Sequence, residues 1–196
     1  MLISKYIPAG ADRDDALLWL PNGGGSFIVR STWEAIRTHS PKVLWRKIVW
    51  HKSLLPWFSL MLWQVLKNRL PTGDRLARYG IASSDLCSVC HAHPEIVNHL
   101  FFECFYSQQV WNIVMEGITS AQPLPWSVLL VALLQSSLIT SVHFAAFIQR
   151  LGALVYYIWR ERNCRHFEGK SLSPSSLASI IASALLWLGS LYVTSK

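Results

Sequence analysis

A mainly α fold, a helical domain opened by a short N-terminal β-hairpin, follows from three features of this 196-residue sequence. Apolar residues recur at helical spacing along most of the chain, glycine and proline punctuate those runs, and one cysteine-rich loop interrupts them. Hydrophobic residues make up 52% of the chain and charged residues 15%. That balance excludes general disorder and provides for a real core.

The hairpin is expected in "DDALLWLPNGGGSFIVRSTWEAIR", from Asp14 to Arg37. "LLWL" and "FIV" have strand composition, and "PNGGG" between them supplies residues tolerant of positive φ. Ser31, followed three residues later by Glu34, carries the capping-box signature of a helix that starts there. From Val43 to Lys67 the chain is apolar and rich in tryptophan. "KVLWRKIVW" sets Leu44, Ile48 and Val49 at helical spacing with Arg46 and Lys47 turned away. Pro56 opens a second helix, "WFSLMLWQVLKN". Thr72 caps a third, "GDRLARY", which Gly80 is placed to stop. Beyond the cysteines, "SQQVWNIVME" reads as an amphipathic helix.

No Asp, Glu, Lys or Arg occurs from Gly117 to Gln149. "PLPWSVLLVALL" and "SVHFAAFIQRLGALVYYIWRERN" are expected as two helices, "GKSLSPSS" as a linker, and Leu177 to Val193 as a last helix. Residues 1–116 therefore hold the hairpin, the basic helices and the cysteine region, and residues 117–196 form an apolar helical C-terminal region. The last segment is shorter than the roughly 20 apolar residues a membrane span requires. Ser176, Ser179, Ser183 and Ser190 share one side of its helical wheel, and Leu177, Ile180, Ile181, Trp187, Leu188, Leu191 and Tyr192 share the other. A helix packed on a protein core explains this better than a membrane span. "MLISKYIPAGADRDD" lacks a signal-peptide h-region, so the expected compartment is intracellular and reducing.

The chemistry is concentrated in "CSVCHAHPEIVNHLFFEC", spaced Cys87-x2-Cys90-x8-His99-x4-Cys104. A Cys-x-x-Cys turn presents two sulfurs to one ion, and a histidine and a third cysteine soon afterwards complete a Cys3His set, the closed tetrahedron of structural zinc. The segment is thus read as a zinc-knuckle-like loop. By spacing alone His93 competes with His99 for the nitrogen position, and His91 is less well placed because adjacent side chains point apart. A redox pair at Cys87 and Cys90 lacks the surrounding βαβ pattern. The plain alternative is three buried thiols behaving as small apolar groups. Four protein ligands leave no open position for water or substrate, so such a site is structural rather than hydrolytic.

The formal charge is +7 and the sequence pI near 9.5, a balance suited to a polyanionic partner. Ten Lys or Arg residues but only two acids, Glu34 and Asp74, lie between Arg30 and Arg78. Among the ten, Lys67, Arg69, Arg75 and Arg78 stand nearest the loop and are the candidate RNA or DNA contacts, with Trp57 and Phe105 as stacking platforms. Ordinary solvation of outward faces is the competing reading. No P-loop, Gly-x-Ser-x-Gly elbow or dinucleotide fingerprint is present, and "NGGGS" leads to an expected strand instead of a helix. A non-enzyme without a small-molecule substrate is expected.

"RLPTGDRLARYGI" together with "CSVCHAHPEIVNHLFFECFYSQQVW" resembles the reverse-transcriptase zinc-binding domain that lies C-terminal to the polymerase in plant-type non-LTR (LINE-like) retrotransposon proteins. The matching positions are Leu70-Pro71-Thr72, Cys87, Cys90, Glu95, His99-Leu100-Phe101, Cys104 and Val110-Trp111. Trp19, Gly25, Phe27 and Ser31 look like the segment joining polymerase to zinc domain. Ile158-Trp159-Arg160, Glu161-Arg162-Asn163 and Phe167 look like the family's tail, in which Cys164 is an ordinary thiol. The resemblance implies His99 in preference to His93, a structural zinc ion, and a non-catalytic module beside the polymerase of a parent retroelement protein. Two departures stand out. Leu55-Pro56-Trp57-Phe58-Ser59 lacks the lysine that relatives carry, and no Tyr-x-Asp-Asp polymerase motif occurs. A protein-interaction module, or a retroelement-derived fragment with no activity of its own, is the alternative.

Overall fold

A computed structural model of the chain describes residues 18–37, 43–119, 122–135 and 142–194, with side chains to Trp187. Two compact units divide at residue 42.

In the first unit the expected hairpin does not form. Among the described residues of the chain there is no β-strand, so the fold is helical without it. Leu18–Ile28 instead makes a compact turn, in which the Trp19 and Gly25 amides donate to the Gly25 and Asn22 carbonyls at 2.7 and 2.8 Å. Gly25 adopts φ 72°, as its place in that turn requires. Helix α1 (Val29–Ile36) takes over at the last residue of "FIV". Strand composition reflects fit to a partly buried pleated surface, and among the described residues Phe27, Ile28 and Val29 are all exposed. The helix also starts two residues before the expected cap. Ser31 and Thr32 hydroxyls both donate to the Ile28 carbonyl, while Glu34 accepts from Arg37 instead of reaching back in a capping box. Asp14 to Leu17 fall outside the described residues.

Among the described residues the second unit packs seven α-helices around one core: α2 (Arg46–Val49), α3 (Pro56–Leu66), α4 (Gly73–Arg78), α5 (Phe105–Val114), α6 (Trp126–Gln135), α7 (Val142–Asn163) and α8 (Pro174–Thr194). Pro56 does sit at the head of α3 and Gly80, at φ 69°, follows the end of α4. Helix α7 is the axis. It packs against α3 on one side and against α5 and α8 on others, burying Ile148, Leu151, Leu154, Val155 and Ile158. Phe58, Leu62 and Val65 of α3 are buried, each contributing about 1.5–3 kcal/mol of transfer free energy. The α3–α7 crossing is close because Gly152 carries no Cβ. One built there would lie 2.7 Å from Leu54 Cδ2 and 2.9 Å from Phe58 Cβ.

Helix α8 buries Leu177, Ala178 and Ile181, but leaves Ile180, Leu186 and Trp187 exposed. The apolar side drawn on the helical wheel is therefore wider than the buried one; Leu188, Leu191 and Tyr192 lie beyond the described side chains. Ser179 and Ser183 hydroxyls donate to carbonyls four residues back on the exposed side. None of the described helices is long and apolar enough to cross a membrane. The expected linker before α8 is tied down: the Leu172 amide donates to Glu161 at 2.8 Å, and the Leu172 carbonyl accepts from Arg165 and Tyr106.

Candidate metal centre

Each part of the cysteine loop has a local reason for its shape. A single antiparallel bridge joins Leu86 and Pro94 at its base. Inside it the Cys87 amide donates to the His93 carbonyl at 2.8 Å and the His91 amide to the Cys87 carbonyl at 2.9 Å. His91 adopts φ 56°, the left-handed residue that turns the chain immediately after Cys90. This brings the Cys87 and Cys90 sulfurs to the same side of the turn.

The second pair of candidate ligands is placed by a π-turn, His99–Glu103. The Cys104 amide donates to the His99 carbonyl at 2.7 Å, an i to i+5 bond that folds the x4 spacing back on itself. Such π-turns recur at functional sites. Cys104 leaves the turn in an extended conformation and becomes the N-cap of α5. Two different backbone devices thus converge on one point.

Ligand atoms of Cys87, Cys90, His99 and Cys104 all lie within 4.8 Å of one another, with Cys90 Sγ 3.3 Å from His99 Nε2. A tetrahedral ion bound at roughly 2.3 Å from sulfur has sulfur–sulfur edges of roughly 3.8 Å, so the four residues fit one ion after small inward shifts. Cys87, Cys104 and His99 are buried and Cys90 is half-buried. His91 and His93 are exposed and outside the cluster; the His93 ring packs on that of His99, 5.3 Å between centroids. Cys164 lies elsewhere, its thiol facing Glu168.

The thiols are electrostatically unequal. The hydrogen bond from Cys87 pushes Cys104 down to about 5. The α5 amides of Ser107 and Tyr106 and the Cys90 thiol act in the same direction, against the effect of burial. Cys87 is raised, first by that same bond and then by burial. One proton is therefore held between two sulfurs that an ion would bind without it.

Residues 27–111 match the family model described as zinc-binding in reverse transcriptase. That segment is similar to the reverse-transcriptase zinc-binding domain. No curated protein and no solved structure matches the chain. The matched segment ends at Trp111, inside α5, yet part of the loop's surroundings comes from beyond it. Trp126 at the head of α6 donates its amide to Asn98 at 3.0 Å and stacks on Phe102 at 6.0 Å.

Two residues that the spacing argument left without a role complete the site. Glu95, fully buried, accepts the Gly73 amide at 2.8 Å and the Ser88 amide at 2.9 Å on its two oxygens. Arg162 of α7, 1% exposed, places Nε 2.9 Å and Nη2 2.7 Å from the same oxygen that Gly73 uses. The available signal was an acid between ligands in apolar "PEIV" and an arginine in a helix otherwise apolar on that face.

The four candidate nucleic-acid residues are placed as follows. Lys67, Arg69 and Arg78 are exposed and Arg75 is half-buried. Lys67 lies 5.2 Å from the Trp45 ring and Arg69 lies 5.3 Å from the Trp63 ring. Arg78 pairs with Asp74 at 3.6 Å. The Thr72 hydroxyl donates to Asp74 at 2.6 Å instead of capping α4, and it is Glu95 that receives the first amide of that helix.

Proposed function

We propose that this chain is a non-catalytic zinc-binding module of the kind found C-terminal to the polymerase in plant-type LINE-like retrotransposon proteins, and that it contacts RNA or DNA. The convergence of Cys87, Cys90, His99 and Cys104 carries the reading. Three thiolates and an imidazole are a soft donor set suited to zinc, and they fill its tetrahedron. The ion supplies folding energy, for which apparent binding in finger-sized peptides is ~10–16 kcal/mol. It holds in place a loop whose base is a single β-bridge.

Nucleic-acid contact is supported by the exposed cations Lys67, Arg69 and Arg78 immediately before the loop, and by aromatic rings at the surface: Trp57 is 48% exposed and Phe105, adjacent to Cys104, is 70% exposed. Cations near phosphates give sequence-independent, salt-sensitive affinity, and open rings stack on unpaired bases. The cation–ring contacts do not forbid this, because such pairs at exposed sites contribute only about 0.5–1 kcal/mol.

The test is fluorescence anisotropy of the zinc-loaded chain with a labelled single-stranded RNA at low and near-physiological salt. Micromolar binding that weakens steeply with salt, and weakens again on charge reversal at Arg75 and Arg78, is expected. Absence of binding at low salt overturns the nucleic-acid reading. A protein-interaction role then takes its place, favoured by Leu186 and Trp187 of α8, which are 75% and 63% exposed. The polymerase domain of a parent protein is the partner that reading implies.

A further inference from the structure

The loop that holds the cysteines has little structure of its own, and the groups that fix its first half come from the far end of the sequence. Three residues at the C-terminal end of α7 and the π-turn that follows it (Cys164–Glu168) reach the two residues between Cys87 and Cys90. Arg162 does so through Glu95, whose second oxygen accepts the Ser88 amide. Arg165 does so directly, donating from Nη1 to the Val89 carbonyl at 2.9 Å. His166 Nδ1 lies 3.2 Å from the Ser88 hydroxyl. Arg165 is itself held by Glu161 at 2.7 Å, and its guanidinium lies 4.4 Å from the ring centroid of Tyr106, two residues past the ligand Cys104. Amide and carbonyl of the Cys-x-x-Cys turn are thus fixed from α7, and the same arginine lies against the helix that Cys104 caps.

We propose that Arg162 and Arg165 are positioning residues of the metal centre, so that the end of α7, outside the segment matched by the zinc-binding family, is a built-in half of the site and couples metal loading to docking of the C-terminal helices. The geometry accounts for the direction of coupling. Two sulfurs presented by a turn can meet one ion only if the turn is held in one shape, and Ser88 and Val89 are the residues whose peptide groups set that shape. Outer-shell partners that orient ligands in this way usually matter about 10- to 100-fold in metal affinity. Coupling of this kind is reciprocal, so the ion must also hold the end of α7.

This inference rests on the metal reading above, and the experiment keeps the two separable. Zinc affinity of the full chain is measured by competition with a chromophoric chelator for wild type, Arg165→Met, Arg162→Met and the charge-neutral pair Glu95→Gln/Arg162→Met. The paired variant avoids leaving a buried carboxylate without its cation. Ile148→Val, buried in α7 about 20 Å along the helix from Arg162, loosens packing of the same helix without touching the clamp. Affinity is expected to fall about 10- to 100-fold in the clamp variants and to stay at the wild-type value in Ile148→Val. In wild type, removing zinc is expected to speed amide exchange in residues 161–168 as well as in the loop. Zinc bound equally by all variants, or loosened as much by Ile148→Val, overturns the clamp and leaves the metal site standing. A wild-type chain that takes up no zinc overturns the metal reading itself.

Discussion

Residues 87–104 and residues 18–36 both contain turns closed by a few backbone hydrogen bonds, yet the first is largely buried and the second largely exposed. The first gathers Cys87, His99, Cys104 and Glu95 into the interior, together with Leu100, Phe101 and Phe102. The second leaves Leu18, Leu20, Phe27, Val29, Trp33 and Ile36 facing outward. The difference lies in what each segment has to satisfy. Thiols, an imidazole and a buried carboxylate have directional requirements, which one backbone path meets. Exposed apolar side chains have none, and strand composition without a partner surface specifies nothing.

The largest break in this comparison comes from removing a ligand. Cys90→Ser is expected to lose zinc and expose the loop to protease, while α3 and the rest of α7 keep their helical signal. Metal content per chain and limited proteolysis check it, and one zinc per chain with native resistance contradicts the ligand set. A smaller effect is expected from Gly152→Ala, which drives a Cβ toward Leu54 and Phe58 at the α3–α7 crossing. Overpacking of this kind costs about 1–3 kcal/mol. Denaturant unfolding should register it, with zinc stoichiometry unchanged.

Acid sharpens the comparison further, because protons compete with the ion only at the loop. Raised Cys87 carries its proton in the metal-free fold at neutral pH, so zinc must displace it and affinity rises with pH there. Cys104, pushed down to about 5, is already a thiolate at pH 7 and adds no proton to that exchange. It joins only as the pH falls toward about 5, where the dependence should steepen. Chelator competition across pH 4.5–8 (an interval chosen to bracket that value) measures both slopes, and a dependence that flattens toward acid contradicts the assignment. The smallest effect belongs to the other segment. Trp33→Ala in α1 removes an exposed ring and should change unfolding free energy by no more than about 0.5 kcal/mol.

The same contrast explains which features could be seen in the sequence. Pro56 at the head of α3, Gly80 after α4 and the apolar spacing of α7 are local signals with a local cause, and the helices stand where those residues put them. The three cysteines were legible as candidate ligands from their spacing, but spacing left His93 beside His99. It was the family resemblance that selected His99, the histidine the fold brings to the cysteines through a π-turn. The β-hairpin was misread because "LLWL" and "FIV" record composition, while the helix beginning at Val29 needed no strand partner. Glu95 and Arg162 were visible as residues but their bond was not. They are 67 positions apart, and nothing local to either says that the other completes it. The wider apolar side expected on α8 had the same fault, because a helical wheel shows which residues can face a core without showing how much core is there.

The account stands on one ion bound by Cys87, Cys90, His99 and Cys104, and the most direct test is X-ray absorption at the zinc edge of the loaded chain. Three sulfurs at about 2.3 Å and one nitrogen at about 2.0–2.1 Å are the predicted shell. A shell with fewer sulfurs, or one completed by water oxygen, would contradict the closed Cys3His site and the structural role drawn from it.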